Sequence, residues 1–281
     1  MSVFEKAIEN IAQRVPKPTQ GDYTGADGLI HCGNCKGQKQ VKVHLGTERI
    51  MPCICPCQAA EMKAKNDKYS KFERQENIKH LRKVCFCTAS QSRQTFAADD
   101  RRNPQLSDAM GKYVVEWDKV YADNIGLLLH GPVGTGKTFY AACIANALVD
   151  RNIPCLMTSL VRVISTMQGM FEGRQEYLDS VVNFPLLVLD DLGTERESEY
   201  MQEQVYNIIN ARYCTGKPLI VTTNIPMDEI KNPKNESYRR IYDRVLQMCQ
   251  PVLIDGGSRR REAVKGKYHE RNLFLGLTEG K

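Results

Sequence analysis

The octapeptide at residues 131–138 constrains this chain more than any other feature. Its sequence, Gly-Pro-Val-Gly-Thr-Gly-Lys-Thr, follows the phosphate-loop pattern G-x-x-x-x-G-K-[ST]. The glycines permit backbone conformations that side chains hinder, so that backbone N–H groups can surround a bound phosphate. Lys137 is predicted to neutralise the β- and γ-phosphates of ATP, and the Thr138 hydroxyl to hold Mg²⁺. The candidate ATP-binding residues are therefore Gly131, Pro132, Val133, Gly134, Thr135, Gly136, Lys137 and Thr138.

The flanking sequence supplies the context that this motif requires. An apolar run at 125–130 precedes the loop, and residues 139–149 repeat apolar side chains at helical spacing. The same alternation continues along the chain. It predicts strands at 125–130, 153–159, 185–190, 218–223 and 251–254, and helices at 104–121, 138–150, 198–213, 236–249 and 258–271. Buried strands that alternate with helices predict an α/β fold whose parallel sheet is covered by helices on both faces.

Polar residues end two of these predicted strands. Asp190 and Asp191 follow the apolar run 184–189, where Asp190 is predicted to hold the Mg²⁺ shell and Asp191 to orient the attacking water. Asn224 ends the strand that begins at Pro218, and its amide is predicted to contact the γ-phosphate or position the water. The alternative for Asn224 is a turn-forming residue before an Ile-Pro pair.

Composition restricts the setting of the protein. The 281 residues are 42% hydrophobic and 26% charged, with a net charge of +6 that permits nucleic-acid contact without requiring it. The apolar runs are shorter than a membrane span, and the first ten residues are charged where a signal peptide is apolar. We therefore expect a cytoplasmic protein without membrane contact, whose eleven cysteines are metal ligands or packing residues instead of disulfides.

Five cysteines cluster near the N-terminus. A C-x-x-C pair at 32–35 is followed about twenty residues later by three more cysteines at 53–57. Two such groups bridged by a hairpin-like segment predict a tetrahedral zinc site, which would stabilise a module too small for its own core. The favoured ligands are Cys32, Cys35, Cys55 and Cys57, with Cys53 as the alternative ligand and His31 and His44 as outside candidates. A redox C-x-x-C pair is the competing interpretation.

These features predict three segments. Residues 1–60 form a cysteine-rich zinc module, residues 61–94 a charged helical linker, and residues 95–281 the ATPase domain. The linker is interpreted as a solvated spacer or as a basic surface for nucleic acid or a partner.

Several motifs together carry a family resemblance. The loop GPVGTGKT, the strands LLVLDDLGTE and LIVTTN, and the tract at 240–248 resemble the ATPase core of DnaC/DnaI-type replicative helicase loaders. These are AAA+ proteins, and they are related to IstB-type transposition ATPases. The resemblance covers roughly residues 95–275. It implies an AAA+ core with a reduced or absent lid, and slow, assembly-dependent ATP hydrolysis because Asp191 stands where most AAA+ proteins have Glu.

The resemblance also assigns roles to single residues. Lys137 and Thr138 match the Walker A motif, Asp190 and Asp191 match Walker B, and Asn224 matches sensor 1. Arg244 falls where the family places an arginine finger, which acts on the ATP of a neighbouring subunit and so implies head-to-tail assembly. Arg260 falls at the sensor 2 position.

The same resemblance implies partners. The N-terminal module would bind a replicative DNA helicase, and the helical segment 160–171 would line a path for single-stranded DNA. Arg162 and Arg174 would then contact phosphates, and Phe171 would stack on a base. An alternative for this segment is a packing helix with Val161, Ile164, Met167 and Phe171 in the core. Alternative functions are a transposition helper of the IstB type and a nucleotide-gated adaptor with little hydrolysis.

Overall fold

A computed structural model describes residues 19–45, 47–194 and 198–261, together with the single positions 264, 268, 271, 274 and 275. Contacts within the chain divide it into two units, residues 1–75 and residues 76–281. The three-segment division given above stays a prediction. Within the described ranges, no helix combines the length and the apolar character that a bilayer span requires.

The first unit contains two small antiparallel sheets. Strand β1 (Tyr23–Thr24) pairs with β2 (Ile30–His31), and β3 (Gln40–Leu45) pairs with β4 (Thr47–Pro52). Few side chains of its described residues are buried: Leu29, Cys32, Lys39, Gln40 and Cys55. This small buried apolar surface offsets only a small part of the conformational entropy lost on folding. The unit therefore needs another source of stability.

A long helix, α1 (Pro56–Cys85), follows these sheets. Of its residues only Cys85 is buried, which agrees with the charged, exposed helix predicted for this part of the sequence. Two short 3₁₀ turns come next, at Gln91–Arg93 and Phe96–Ala98.

The second unit is an α/β domain around one five-stranded parallel sheet, with strand order β6-β7-β8-β5-β9. The strands are β5 (Gly126–His130), β6 (Cys155–Ser159), β7 (Leu186–Leu192), β8 (Leu219–Thr223) and β9 (Cys249–Leu253). The helices are α2 (Pro104–Val115), α3 (Trp117–Ala122), α4 (Lys137–Asp150), α5 (Leu160–Gln168), α6 (Arg174–Val182), α7 (Glu199–Thr215), α8 (Met227–Lys231) and α9 (Glu236–Met248). The predicted order of the strands is confirmed, and so is that of the helices up to α9, although the predicted helix 104–121 is divided into α2 and α3 and the short helix α8 was not predicted.

The core of this unit lies on both faces of the sheet. Leu127 and Leu129 of β5 pack in one hydrophobic cluster with α2 and α4, whereas Leu128 packs in the other with α5, α7 and α9. Successive side chains of a strand point to opposite faces, so consecutive apolar residues show that both faces are covered. This arrangement confirms the predicted doubly covered parallel sheet.

Segment 160–171 differs from the sequence prediction. Helix α5 ends at Gln168, and the side chains of Val161 and Phe171 are exposed, so their assignment to the core is wrong. The buried face consists of Leu160, Val163, Ile164 and Met167. These positions recur three and four residues apart and therefore share one side of the helix, which Val161 does not.

The last predicted helix, near 258–271, falls largely on residues outside the described ranges. The prediction of a reduced or absent lid concerns the same part of the chain and stays a prediction. The described residues after β9 run back toward the phosphate loop, where the backbone N–H of Arg259 donates to the carbonyl of Gly134 at 3.0 Å.

Candidate functional site

The phosphate loop connects the carboxyl end of β5 to the first residue of α4. Gly131, Gly134 and Gly136 have φ values of 141°, 85° and 113°, which side-chain-bearing residues rarely adopt. A Cβ at Gly131 would also lie 2.3 Å from the carbonyl oxygen of Ile254. The loop therefore needs these glycines, and it aims the amino end of α4 at the space where a phosphate would bind.

Lys137 is the first residue of α4, and its side chain is only 5% exposed. The ammonium donates to the carbonyls of Gly131 at 2.9 Å and Pro132 at 2.7 Å. Burial lowers the pKa of Lys137, and the nearby Asp191 and Asp190 carboxylates oppose this shift. A phosphate would offer this poorly solvated cation a stronger partner than two neutral carbonyl groups.

Thr138 and Asp190 form the second part of the site. The Thr138 hydroxyl donates to Oδ1 of Asp190 at 2.9 Å, and the Thr222 hydroxyl donates to the same oxygen at 2.6 Å. Burial raises the pKa of the Asp190 carboxyl, although the Thr222 bond opposes the shift. A hydroxyl and a carboxylate at this separation are the hard oxygen ligands that Mg²⁺ prefers, so this pair fits the ion.

Asp191 adopts an unusual backbone conformation, with φ 59°, where the pairing of β7 with β8 becomes irregular. Its N–H donates to the hydroxyl of Thr222 at 2.9 Å. Thr222 therefore contacts both acids, a role that the sequence analysis did not assign. A threonine in strand β8 was the available signal, because β8 lies next to β7 in the sheet.

One cleft, of about 370 Å³, brings most of the predicted ATP-site residues together. Its volume lies within the range of small-molecule sites, roughly 300–1,000 Å³. The predicted residues on its walls are Val133, Gly134, Gly136, Lys137, Thr138, Asp191, Asn224 and Arg260.

Arg259, which was not among the predicted ATP-site residues, also lies on this cleft. Its guanidinium pairs with Asp100 at 2.9 Å and lies 3.8 Å from Asp99, whose side chain is almost fully buried. Asp99 also accepts hydrogen bonds from Ser107 and Tyr140. This network holds the segment after β9 against the phosphate loop.

Arg244 lies elsewhere and is not among the described residues that line the cleft. In α9, its guanidinium stacks on the ring of Tyr213, 4.1 Å from the ring centroid, and donates to Oε1 of Gln247 at 3.1 Å. It is partly exposed on the surface of its own subunit. This placement is required of a residue that acts on a neighbouring subunit's nucleotide.

The predicted DNA-contacting residues are all exposed. Arg162 lies on the outer side of α5, opposite the buried face, and the Phe171 side chain is fully exposed just after this helix. The Arg174 side chain donates to the carbonyl of Met170 at 2.9 Å. An aromatic ring and two guanidinium groups on one short surface stretch are compatible with stacking and phosphate contact.

In the first unit, the four favoured cysteines come together. The Sγ atoms of Cys32, Cys35, Cys55 and Cys57 all lie within 4.8 Å of one another. Sγ of Cys57 lies 3.5 Å from that of Cys32 and 3.4 Å from that of Cys55. Sulfurs bound tetrahedrally to zinc at about 2.3 Å would lie about 3.8 Å apart, so the cluster fits the ion.

The alternative ligands do not join this cluster. Cys53 Sγ donates to the carbonyl of Gln38 at 3.4 Å, and His31 Nε2 lies 3.0 Å from Oδ2 of Asp27. His44 is exposed on β3. Among the described residues, the potential metal ligands that do cluster are therefore the four that were favoured.

The electrostatics of the cluster suit a cation. Backbone N–H groups of Cys57 and Gly37 lower the pKa of Cys35 to about 6, which favours the thiolate that binds metals. Side-chain hydrogen bonds with the sulfurs of Cys35, Cys55 and Cys32 raise the pKa of Cys57 to about 12, because they favour its protonated thiol. A metal cation bound by the four sulfurs would take the place of this shared proton.

Known proteins are similar to much of this chain. A profile of the family described as IstB-like ATP binding protein matches residues 62–266. The replicative helicase loader DnaI of Bacillus subtilis is 26% identical over 205 residues, which cover 68% of this chain and 66% of that protein. The replicative helicase loader DnaC of Escherichia coli is 30% identical over 160 residues, which cover 56% of this chain and 63% of that protein. The matched region thus spans slightly less than two thirds of either relative.

A solved structure supports the fold. The crystal structure of DnaI matches with a TM-score of 0.54 and 24% identity, covering 64% of this chain and 98% of that one. This likeness confirms the predicted α/β fold with a phosphate loop.

Proposed function

The chain belongs to the family of IstB-like ATP binding proteins, and from this membership we propose that it is a slow, assembly-dependent ATPase that loads a replicative DNA helicase. The relatives named as helicase loaders support this choice. The observation that carries it is the separation of two sets of residues. Lys137, Thr138, Asp191 and Asn224 share one cleft, whereas Arg244 lies on a different surface.

Within the cleft, each side chain has a distinct task. Lys137 leaves the two loop carbonyls and neutralises the β- and γ-phosphates, while Thr138 and Asp190 hold Mg²⁺. Mg²⁺, when bound, neutralises charge on the phosphate oxygens. Asp191 orients the attacking water and Asn224 contacts the γ-phosphate or that water. Arg260 approaches the phosphates from the segment after β9.

Hydrolysis also needs Arg244 from a neighbouring subunit. The transition state spreads negative charge over the γ-phosphate oxygens, and a guanidinium stabilises it by three or more decades in rate. Because Arg244 is held on Tyr213 away from its own cleft, the active arrangement is a head-to-tail assembly. The short Asp191 side chain makes slow turnover the expected behaviour.

The first unit (residues 1–75), the N-terminal unit, binds one zinc ion through Cys32, Cys35, Cys55 and Cys57 and recruits the helicase. Zinc supplies folding free energy that the few buried side chains of this unit do not provide. The second unit (residues 76–281), the ATPase unit, binds single-stranded DNA through Arg162, Arg174 and Phe171, and the whole protein acts in the cytoplasm.

A transposition role is the second candidate, because the matching family is named for IstB-like proteins. A loader binds a replicative helicase and releases it on ATP hydrolysis, whereas a transposition helper binds a transposase on target DNA. Genes beside the coding sequence for helicase and primase components, or for a transposase, separate the two. A nucleotide-gated adaptor with little hydrolysis remains the third candidate.

Subunit mixing tests the ATPase proposal. Lys137→Ala should prevent ATP binding, and Arg244→Ala should bind ATP normally yet hydrolyse it at least about a thousandfold more slowly. When the two variants are mixed, some interfaces join the intact loop of one subunit to the intact Arg244 of the other. Hydrolysis by the mixture should therefore exceed that of either variant alone, as measured by phosphate release.

Two outcomes would contradict the proposal. Wild-type hydrolysis by Arg244→Ala under assembling conditions would remove Arg244 from the reaction and make Arg240 the next candidate. Unchanged ATP affinity in Lys137→Ala would mean that the cleft is not the nucleotide site.

A further inference from the structure

Strand β7 carries one extra residue at the position of its two acids. Regular pairing with β8 stops after Leu189 and resumes at Leu192, and the two residues between them lie opposite the single residue Thr222 of β8. Asp190 and Asp191 therefore form a β-bulge, an irregularity that re-aims side chains and is common beside active sites.

The bulge allows two successive side chains to serve one site. In a regular strand, successive side chains point to opposite faces of the sheet. Here Asp190 bonds to Thr138 of α4, and Asp191, the next residue along the chain, lines the ATP cleft. The φ of 59° at Asp191 is part of this distortion, and residues with a side chain rarely adopt such a value. A backbone conformation of this kind persists only when its surroundings hold it.

The hydroxyl of Thr222 holds both acids from the neighbouring strand. It accepts from the N–H of Asp191 at 2.9 Å and donates to Oδ1 of Asp190 at 2.6 Å. A hydroxyl has one proton to donate, so this proton is committed to Asp190 while the oxygen accepts from Asp191. The Thr222 side chain is fully buried, so bulk water does not compete for either bond.

We infer that Thr222 is a positioning residue for ATP hydrolysis and that it acts through Asp191. Its hydroxyl fixes the backbone of Asp191 on the bulge and thereby aims the carboxylate at the water that attacks the γ-phosphate. Its second bond ties the bulge to Asp190, the acid proposed to hold Mg²⁺, so the two acids keep one arrangement. This inference rests on the proposed ATPase function and adds the residue that sets the geometry of its acids.

Thr222→Val tests this role, because valine is also branched at Cβ but lacks the hydroxyl. Under assembling conditions, kcat for ATP hydrolysis should fall about a hundredfold, as expected for a misplaced reacting group, while the dissociation constant for ATP changes less than about threefold. Thr222→Ser keeps the hydroxyl and should restore most of the wild-type kcat. Phosphate release at saturating ATP measures kcat, and equilibrium titration measures the dissociation constant.

Thr223→Val is the matched control. Thr223 is also fully buried, and its hydroxyl also makes two bonds, donating to the carbonyl of Leu192 at 2.7 Å and accepting from the N–H of Ile225 at 3.1 Å. Neither partner is one of the acids, so this variant should slow hydrolysis much less than Thr222→Val does. Equal losses in the two variants, or a loss of ATP binding in Thr222→Val, would mean that the hydroxyl supports the fold in general, and the inference would be wrong.

A double variant tests whether Thr222 acts through Asp191. Asp191→Asn alone should hydrolyse ATP slowly, and adding Thr222→Val should slow it little further, because the carboxylate to be positioned is already gone. Losses that add in the double variant, or a wild-type kcat in Thr222→Val, would overturn the inference alone. Wild-type hydrolysis by Asp191→Asn would overturn the task proposed for Asp191, and the inference with it.

Discussion

The two units of this chain differ in what stabilises them. The ATPase unit buries two hydrophobic clusters on opposite faces of a parallel sheet. The described part of the N-terminal unit buries only a few side chains, two of which, Cys32 and Cys55, belong to the cysteine cluster. Deletion of buried apolar side-chain atoms should therefore lower the free energy of unfolding mainly of the ATPase unit. Removal of one cysteine sulfur should lower mainly that of the N-terminal unit. The experiments below are ordered from the largest expected effect to the smallest.

Removal of one sulfur should have the largest effect. Cys55→Ser deletes a buried member of the cluster, and the loss of zinc should cost the N-terminal unit on the order of 10 kcal/mol of folding free energy. The ATPase unit should keep its own thermal transition. Metal analysis of protein purified without added zinc should return about one equivalent for wild type and almost none for the variant.

Cys53→Ser is the matched control, since the Cys53 sulfur bonds to the carbonyl of Gln38 outside the cluster. It should keep the zinc and the fold. Equal effects of the two substitutions, or a folded N-terminal unit in metal-free wild-type protein, would contradict the claim that zinc on the four clustered cysteines stabilises this unit.

A cavity in the parallel sheet should destabilise the ATPase unit. Leu128→Ala removes a fully buried side chain of β5, and we expect a loss of about 3 kcal/mol from the free energy of unfolding of the ATPase unit. Zinc content should not change. Val115→Ala, at an exposed position, should shift the same transition by less than about 0.5 kcal/mol. A matching loss of zinc in Leu128→Ala would show that the two units do not fold independently.

Asp190→Asn tests whether burial of the ionised Asp190 carboxylate destabilises the ATPase unit. Burial raises the pKa of this carboxyl in the folded protein, so the ionised form is disfavoured there relative to the unfolded chain. The folded state thus binds the proton more tightly, and wild-type stability should rise as the pH falls from neutral through the raised pKa. Asn carries no charge and still accepts from Thr138 and Thr222, so we expect the variant to be more stable than wild type at neutral pH.

The gain in stability should disappear at lower pH, where chemical unfolding experiments should give wild type and variant similar free energies of unfolding. Magnesium-dependent ATP binding should weaken in Asp190→Asn at the same time. Asp191→Asn, at an exposed position, should change stability less than Asp190→Asn does. A destabilised Asp190→Asn protein at neutral pH would mean that the carboxylate has a stabilising partner in the folded state.

The smallest expected effect is on DNA binding. Affinity for single-stranded DNA should fall with salt, with a log–log slope of roughly −0.7 per phosphate contact. Arg162→Ala should remove about one contact from this slope, while changing stability by less than about 0.5 kcal/mol. Fluorescence anisotropy with a short oligothymidine, with and without ATP, measures the slope.

Lys119→Ala, which removes an exposed cation from α3, should leave the slope unchanged, and so should Cys55→Ser, because DNA binding is assigned to the ATPase unit alone. If no DNA binds at low salt in the ATP state, the adaptor function becomes the better proposal.

Local patterns made much of the ATPase unit predictable. The phosphate loop needs glycines at fixed offsets before its lysine, and buried strands need uninterrupted apolar runs. Both features can therefore be recognised from short segments of sequence. Segment 160–171 was predicted less well. Its apolar residues fit helical spacing over more than one register, and only packing against α6, α7 and strands β6 and β7 selected the face that begins at Leu160.

By itself, the sequence determined the ATP-binding loop, the two acids at the end of β7 and the presence of a cysteine cluster. Only the tertiary structure excluded Cys53 from that cluster, placed Thr222 beside both acids, stacked Arg244 on Tyr213 and set Arg259 on the cleft. These contacts join residues far apart in the chain. They depend on strand order and helix packing, which are decided by burial across the whole domain and not by the spacing of neighbouring residues.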